Sequence, residues 1–311
     1  MNPNKPNVGG GRYEDAEPNF YEELGETAET SGLPDKLTKE DIQPKPGDPE
    51  STQIILQRHG AYERSRDSEN VGSLPPESAQ AEYEAALKYF ESYFAFLNEE
   101  ERQNVEIIIV SSDTQYFEGG RRSLETASLA QRAAEEVLKK YGIPTENIIN
   151  NTGRLSGDGQ PRTMPKLREP NFLNESPDFL DFMLEKYGDV NLDFWLAFEE
   201  DRHKDMREQM GAEGPDEIAD RTAFTIRVLA RYAEAFHKAS PGKRLIIWGS
   251  THYDTISPFV KRDVFGEPKE KQLLVDYGGG LTIDIDPEGM ATTELGDKKY
   301  NVAVKREMPN S

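Results

Sequence analysis

The chain has 311 residues, with 58 acidic against 37 basic side chains and a formal net charge of -21. That balance excludes broad binding to nucleic acid, whose phosphates need a basic face, and the lack of cysteine excludes disulfides and thiolate metal sites. No apolar run approaches the ~20 residues of a membrane span and no basic-then-apolar leader is visible, so the expectation is a cytoplasmic protein without a membrane or nucleic-acid partner.

Residues 1–50 hold twelve acids and five bases, with many Pro, Gly and Asn and no sustained apolar period. They read as an acidic, mostly disordered N-terminal tail, in which NFYEELGE (19–26) is the piece suited to fold onto a partner. The remainder, 51–308, reads as one domain. Its apolar runs QIILQ (53–57), VEIIIVS (105–111), ENIIN (146–150) and RLIIWGS (244–250) are short, continuous and β-rich, as in strands covered on both faces. Between them, Tyr83, Leu87, Phe90, Phe94 and Leu97 recur at helical spacing within 78–98. Leu124, Ala127, Ala134, Val137, Leu138 and Tyr141 do so within 123–141, before Gly142 and Pro144 stop that helix. Ser176-Pro177 opens a segment that Gly188 closes, and a longer helix runs from Pro215 toward Ser240-Pro241-Gly242.

Strand and helix in alternation imply an α/β fold, a three-layer α/β/α sandwich around a mostly parallel sheet. The polar stretch at about 151–215 breaks the rhythm and reads as an insertion or lid. Gly278-Gly279-Gly280 leads into a strand. GLTIDIDPEGMATTEL (280–295) then reads as a hairpin turning at Asp286-Pro287-Glu288-Gly289. Asp284 and Asp286 are assigned to the hairpin's exposed face.

Ligands of open α/β sheets bind beyond the carboxyl ends of the strands. Arg58-His59-Gly60 follows the first strand, Arg121-Arg122 follows the second and opens a helix, and Thr251-His252-Tyr253 follows the strand at 244–250. Two of the four histidines and several arginines therefore converge on one rim. His203 and His237 sit in polar helical stretches.

This pattern resembles the histidine phosphatase superfamily, with a phosphoglycerate-mutase-like fold. RHG (58–60) matches its first motif. Arg122-Ser-Leu-Glu-Thr126-Ala127 matches the spacing of its second, in which Arg122 rather than Arg121 stands at the right offset. STHY (250–253) matches the histidine of the third, with tyrosine in place of glycine. GSLPPESAQA (72–81) is similar to its helix opening, and Leu167-Arg168-Glu169 to the site of its acid, at a long spacing from Arg122. The resemblance spans roughly 50–305 and is weakest from about 151 to 240.

The resemblance implies a phosphomonoester hydrolase with a small phosphorylated substrate, no cofactor and no metal. His59 would be the nucleophile, Arg58 and Arg122 would hold the phosphoryl group, and His252 would stabilise its charge. Glu169 would protonate the leaving oxygen, with Glu175 and Glu199 as competing carboxylates. Gly60 would line the phosphoryl site. The types fit the chemistry: guanidinium forks match phosphoryl oxygens and keep their charge, and a neutral imidazole can attack phosphorus. A phosphoglycerate-mutase-type phosphotransferase and a non-catalytic phosphate-binding protein of the same fold are the other readings. Residues 154–168 carry Arg154, Arg162, Lys166 and Arg168 against one acid, Asp158. They are either a solvated loop or a loop arching over the pocket, with Arg162 and Lys166 recruiting a second anionic group.

Overall fold

The computed structural model describes residues 34–65, 67–115, 119–155, 157–188, 192–266 and 273–304. In chain order the elements begin with β1 (Lys36–Leu37), β2 (Thr52–Arg58), α1 (Pro76–Ala95), α2 (Glu99–Gln103), β3 (Val105–Ser111), α3 (Arg122–Lys140) and β4 (Arg162–Thr163). There follow α4 (Pro177–Tyr187), α5 (Leu192–Glu199), α6 (Lys204–Gln209), α7 (Pro215–Ala239), β5 (Arg244–Thr251) and α8 (Tyr253–Phe259). The chain closes with β6 (Leu274–Val275), β7 (Gly280–Ile285), β8 (Ala291–Leu295) and β9 (Lys298–Asn301).

The main sheet has the order β4-β3-β5-β2-β7-β8-β9. Its first four strands are mutually parallel, and β7, β8 and β9 extend it antiparallel. Alternation within β2, β3 and β5 divides the core. Ile55, Ile107, Ile109, Ile246 and Trp248 face α1 and α3, against Phe90, Phe94, Ala130 and Val137. Ile54, Leu56, Ile108, Val110, Leu245 and Ile247 face the other way, against Ile226 and Leu229 of α7 and Ile256 and Phe259 of α8. This is the expected three-layer sandwich with a mostly parallel central sheet. The 151–215 stretch builds a third cluster of its own, around Phe172, Phe179, Met183, Phe194 and Phe198. No helix among the described residues is long and apolar enough to cross a membrane.

Three expectations change. The run at 146–150 is not a strand but two 3-10 turns, Thr145–Asn147 and Ile149–Thr152, joined to β3 by the single bridge Ile107–Ile148. Asparagine side chains take the place of a ladder there. Asn150 accepts from Ile109 N at 2.8 Å and donates to Ile109 O at 2.9 Å, and Asn147 donates to Val105 O at 2.9 Å. The second change concerns the tail. Residues 34–50 are built onto the domain: β1 pairs in parallel with β6, Leu37 and Ile42 are buried, and Lys39 reaches the buried Glu82 at 2.8 Å. NFYEELGE (19–26) and residues 305–308 lie outside the described residues. The third change is Asp284, which is half-buried and accepts from Gln53 Nε2 at 2.5 Å.

Candidate active site

Strand register decides what converges. Arg58 pairs with Thr251, and Ser111 with Ser250, so β2, β3 and β5 end almost level. The ladders run one bond further, from His59 N to Thr251 O at 2.9 Å and from Ser112 N to Ser250 O at 2.8 Å. His59, Ser112 and His252 therefore leave the sheet on the same rim. Arg122 opens α3 directly above it.

His59 is buried. Its Nδ1 lies 2.7 Å from Gly60 O, a carbonyl that can only accept. The ring is thus the Nδ1–H tautomer, and its Nε2 lone pair accepts from Arg122 Nε at 2.9 Å. Burial, and then the charges of Arg122, His252 and Arg58, hold its pKa well below the usual 6.5. Gly60 is required by space: a Cβ there would meet Glu82 Cγ at 2.7 Å, Ser78 Oγ at 2.8 Å and Leu74 Cδ2 at 3.0 Å. Its N–H donates to Thr126 Oγ1 at 3.0 Å, and that hydroxyl donates to Arg122 O at 2.9 Å. The Arg-His-Gly and Arg-x-x-x-Thr stretches are therefore physically joined.

Arg122 is 2% exposed and forms an ion pair from Nη2 to Glu169 Oε1. Arg58 donates from Nη1 to Val275 O at 2.6 Å, with Tyr277 3.9 Å from its Cζ. His252 is buried, its Nε2 2.9 Å from Ser112 Oγ and 3.2 Å from Ser123 Oγ. Burial, then Arg122, Arg221 and Arg58, push its pKa well down. Its Nδ1 lies 3.5 Å from Glu169 Oε1.

Glu169 arrives by a long path. After α3 the chain returns through β4 at the β3 edge, where Met164 N donates to Ser111 O at 2.7 Å. Thr251 Oγ1 then donates to Leu167 O at 2.6 Å, Thr255 Oγ1 to Arg168 O at 3.0 Å, and Glu169 N to Thr114 Oγ1 at 3.2 Å. These clips explain how a residue 47 positions after Arg122 meets it.

Arg162 and Lys166 are not brought into this cluster. Both are exposed, and Arg162 donates to Leu155 O at 3.1 Å on the sheet edge. Glu175 is exposed and pairs with Arg168 at 3.1 Å. Glu199 is buried elsewhere, among Tyr253 Oη, Ser257 Oγ at 3.2 Å and Lys261 Nζ at 3.0 Å.

Sequence reasoning missed several groups. Asp254, two residues beyond His252, is 5% exposed. Burial first, then the Glu169 charge, pushes its carboxyl up to about 8. Arg221 of α7 is 6% exposed, donates from Nη1 to Lys166 O at 2.6 Å, and adds positive charge near both His252 and Asp254. The polar run Thr251–Asp254 directly after an apolar strand was the available signal for Asp254. Arg221 lies on a helix with no local mark.

No protein-family model and no curated protein matches the chain. Among solved structures it is similar to phosphoglycerate mutase from Bacillus anthracis str. Sterne, at 15% identity and a TM-score of 0.44, over 81% of this chain and 95% of that one. It is also similar to a mycobacterial glucosyl-3-phosphoglycerate phosphatase solved with VO3, at 16% identity and a TM-score of 0.41, over 79% and 98%. A third is a mycobacterial hydrolase, at 15% identity and a TM-score of 0.41, over 82% and 97%.

Proposed function

We propose that the chain is a phosphomonoester hydrolase of the histidine phosphatase type, acting through a phosphohistidine on His59 without a metal. The observation that carries this reading is the neutral His59 ring, with Nδ1–H on Gly60 O and its Nε2 lone pair directed at the Arg122 guanidinium. Nε2 attacks phosphorus in line and the bond from phosphorus to the leaving oxygen breaks. Arg58, Arg122 and His252 offset the charge on the equatorial oxygens. A carboxyl group gives its proton to the leaving oxygen and later takes one from the water that opens the phosphohistidine.

Glu169 is the first assignment for that carboxyl, because it contacts Arg122 and approaches His252. Asp254 is the second, favoured by burial that keeps it protonated at neutral pH. The test of the whole reading is hydrolysis of p-nitrophenyl phosphate with a chelator present. Turnover is expected, with an alkali-stable, acid-labile phosphoryl group trapped on His59 by quenching in alkaline detergent, and neither observed in His59→Ala. Turnover that persists in His59→Ala would sink it. Phosphate-dependent thermal stabilisation without turnover would instead indicate a binding module.

A further inference from the structure

The floor of the site is charged and closed, whereas its rim is aromatic. Arg58, His59, Arg122 and His252 are all buried. Tyr62 and Tyr277 are half-buried and pack against this cluster. Tyr62 lies 4.3 Å from Arg122 Cζ and 5.4 Å from the His59 ring. Tyr277 lies 3.9 Å from Arg58 Cζ and 5.8 Å from His59. The two tyrosine rings are 6.5 Å apart at 80°, forming a corner. Arg64 fixes that corner, donating from Nη2 to Tyr277 Oη with its Cζ 5.3 Å from the Tyr62 ring.

A phosphoryl group held by Arg58, Arg122 and His59 brings its leaving group close to this corner. We propose that Tyr62 and Tyr277 select phosphomonoesters whose leaving group is a flat ring bonded directly to the bridging oxygen, a proposal that rests on the phosphatase reading above. Such a ring stacks on one tyrosine and meets the other edge-on, both being favoured aromatic arrangements. Distance selects the directly bonded ring. Both tyrosines lie within one ring contact of His59, whereas the base of a nucleotide sits beyond a methylene and a sugar. An alkyl ester offers the corner no π-face.

The test compares benzylphosphonate, in which a methylene replaces the bridging oxygen of a phenyl ester, with ethylphosphonate. Calorimetry gives the affinity of each for the full chain and for Tyr62→Leu, Tyr277→Leu and the corresponding Phe variants. The native chain is expected to bind the benzyl compound about tenfold tighter, each Leu variant to shrink that gap about fivefold, Tyr62→Phe to keep it, and Tyr277→Phe, which loses the Arg64 contact, to keep more of it than Tyr277→Leu. A gap absent in the native chain, or unchanged in both Leu variants, overturns the rim while leaving the phosphate site standing. If neither phosphonate binds and orthophosphate fails to raise Tm, the phosphatase reading falls and takes the rim with it. Turnover of phosphotyrosine should exceed that of adenosine 5′-monophosphate, and the reverse order overturns the directly bonded ring.

Discussion

Arg122 donates from Nε to Nε2 of His59 at 2.9 Å, so the lone pair assigned to attack phosphorus is capped by the guanidinium that would hold the phosphoryl group. In the proposed mechanism phosphate would draw that N–H onto its own oxygen and free the nucleophile, coupling binding to activation. Arg122→Lys keeps the charge but loses the fork that reaches His59 and Glu169 together. Loss of such a positioned donor should lower kcat by about a hundredfold, more than it raises KM. Steady-state kinetics on p-nitrophenyl phosphate checks this, and an unchanged kcat would remove Arg122 from the chemistry.

Burial keeps His59 and His252 neutral, with pKa values pushed well below 6.5. The unfolded chain takes up protons at these histidines as pH falls past 6.5, while the folded chain does not. Their contribution is therefore full above pH 6.5 and declines as the pH falls toward their folded values. Urea unfolding between pH 5 and pH 8 should show stability declining on the acid side. His252→Asn should flatten that decline, and an equal slope in both proteins would contradict neutral burial.

The parallel strands were legible because both faces are covered, leaving nearly continuous apolar runs such as VEIIIVS, whose bounds coincide with β3. His59 and His252 were legible because each directly follows such a run. The bridge from Ile148 was over-read as a strand because the bonds that hold it come from Asn147 and Asn150 side chains, which no apolar pattern records. Residues 34–50 were under-read because two buried apolar residues, Leu37 and Ile42, are too few to set a period. Arg221 and Asp254 become visible only when α7 and α8 pack beside Glu169. Burial and charge at a distance define their role.

Gly60→Ala should be destabilising in its own right. Its new methyl group would crowd Glu82, Ser78 and Leu74 at 3.0 Å or less. Overpacking of that kind costs about 1–3 kcal/mol. A urea titration measures it, and a change below about 0.5 kcal/mol would mean that α1 yields without strain.

Glu199 of α5 and Lys261, just beyond α8, form a buried ion pair at 3.0 Å. Tyr253, next to His252, donates to the same carboxylate. Glu199→Leu strands the ammonium and should cost about 3–5 kcal/mol. The double variant Glu199→Leu with Lys261→Met removes both charges and should recover most of that loss. Additive losses in the double-mutant cycle would show that the pair acts through packing rather than charge.

The two carboxyls can be separated by leaving group. p-Nitrophenolate departs with little help, whereas phenol needs a proton as the bond breaks, so removing the acid should slow phenyl phosphate far more than p-nitrophenyl phosphate. Glu169→Gln and Asp254→Asn are near-isosteric, and the true acid's variant should lose about 10²–10⁴-fold in kcat/KM for phenyl phosphate, which reports transfer to His59, and far less for p-nitrophenyl phosphate, while the hydrolysis of the phosphohistidine slows equally for both. The pH profile gives an independent mark. Asp254, raised to about 8 by burial and Glu169, is protonated below that pH and ionised above it. If Asp254 is the acid, kcat for phenyl phosphate falls as pH rises through about 8 and Asp254→Asn abolishes that limb. If Glu169 is the acid, the leaving-group effect follows Glu169→Gln instead. Asp254→Asn then acts mainly on stability, removing the decline that accumulates from pH 3.8 up to about 8, where the unfolded chain has ionised this carboxyl and the folded chain still holds its proton.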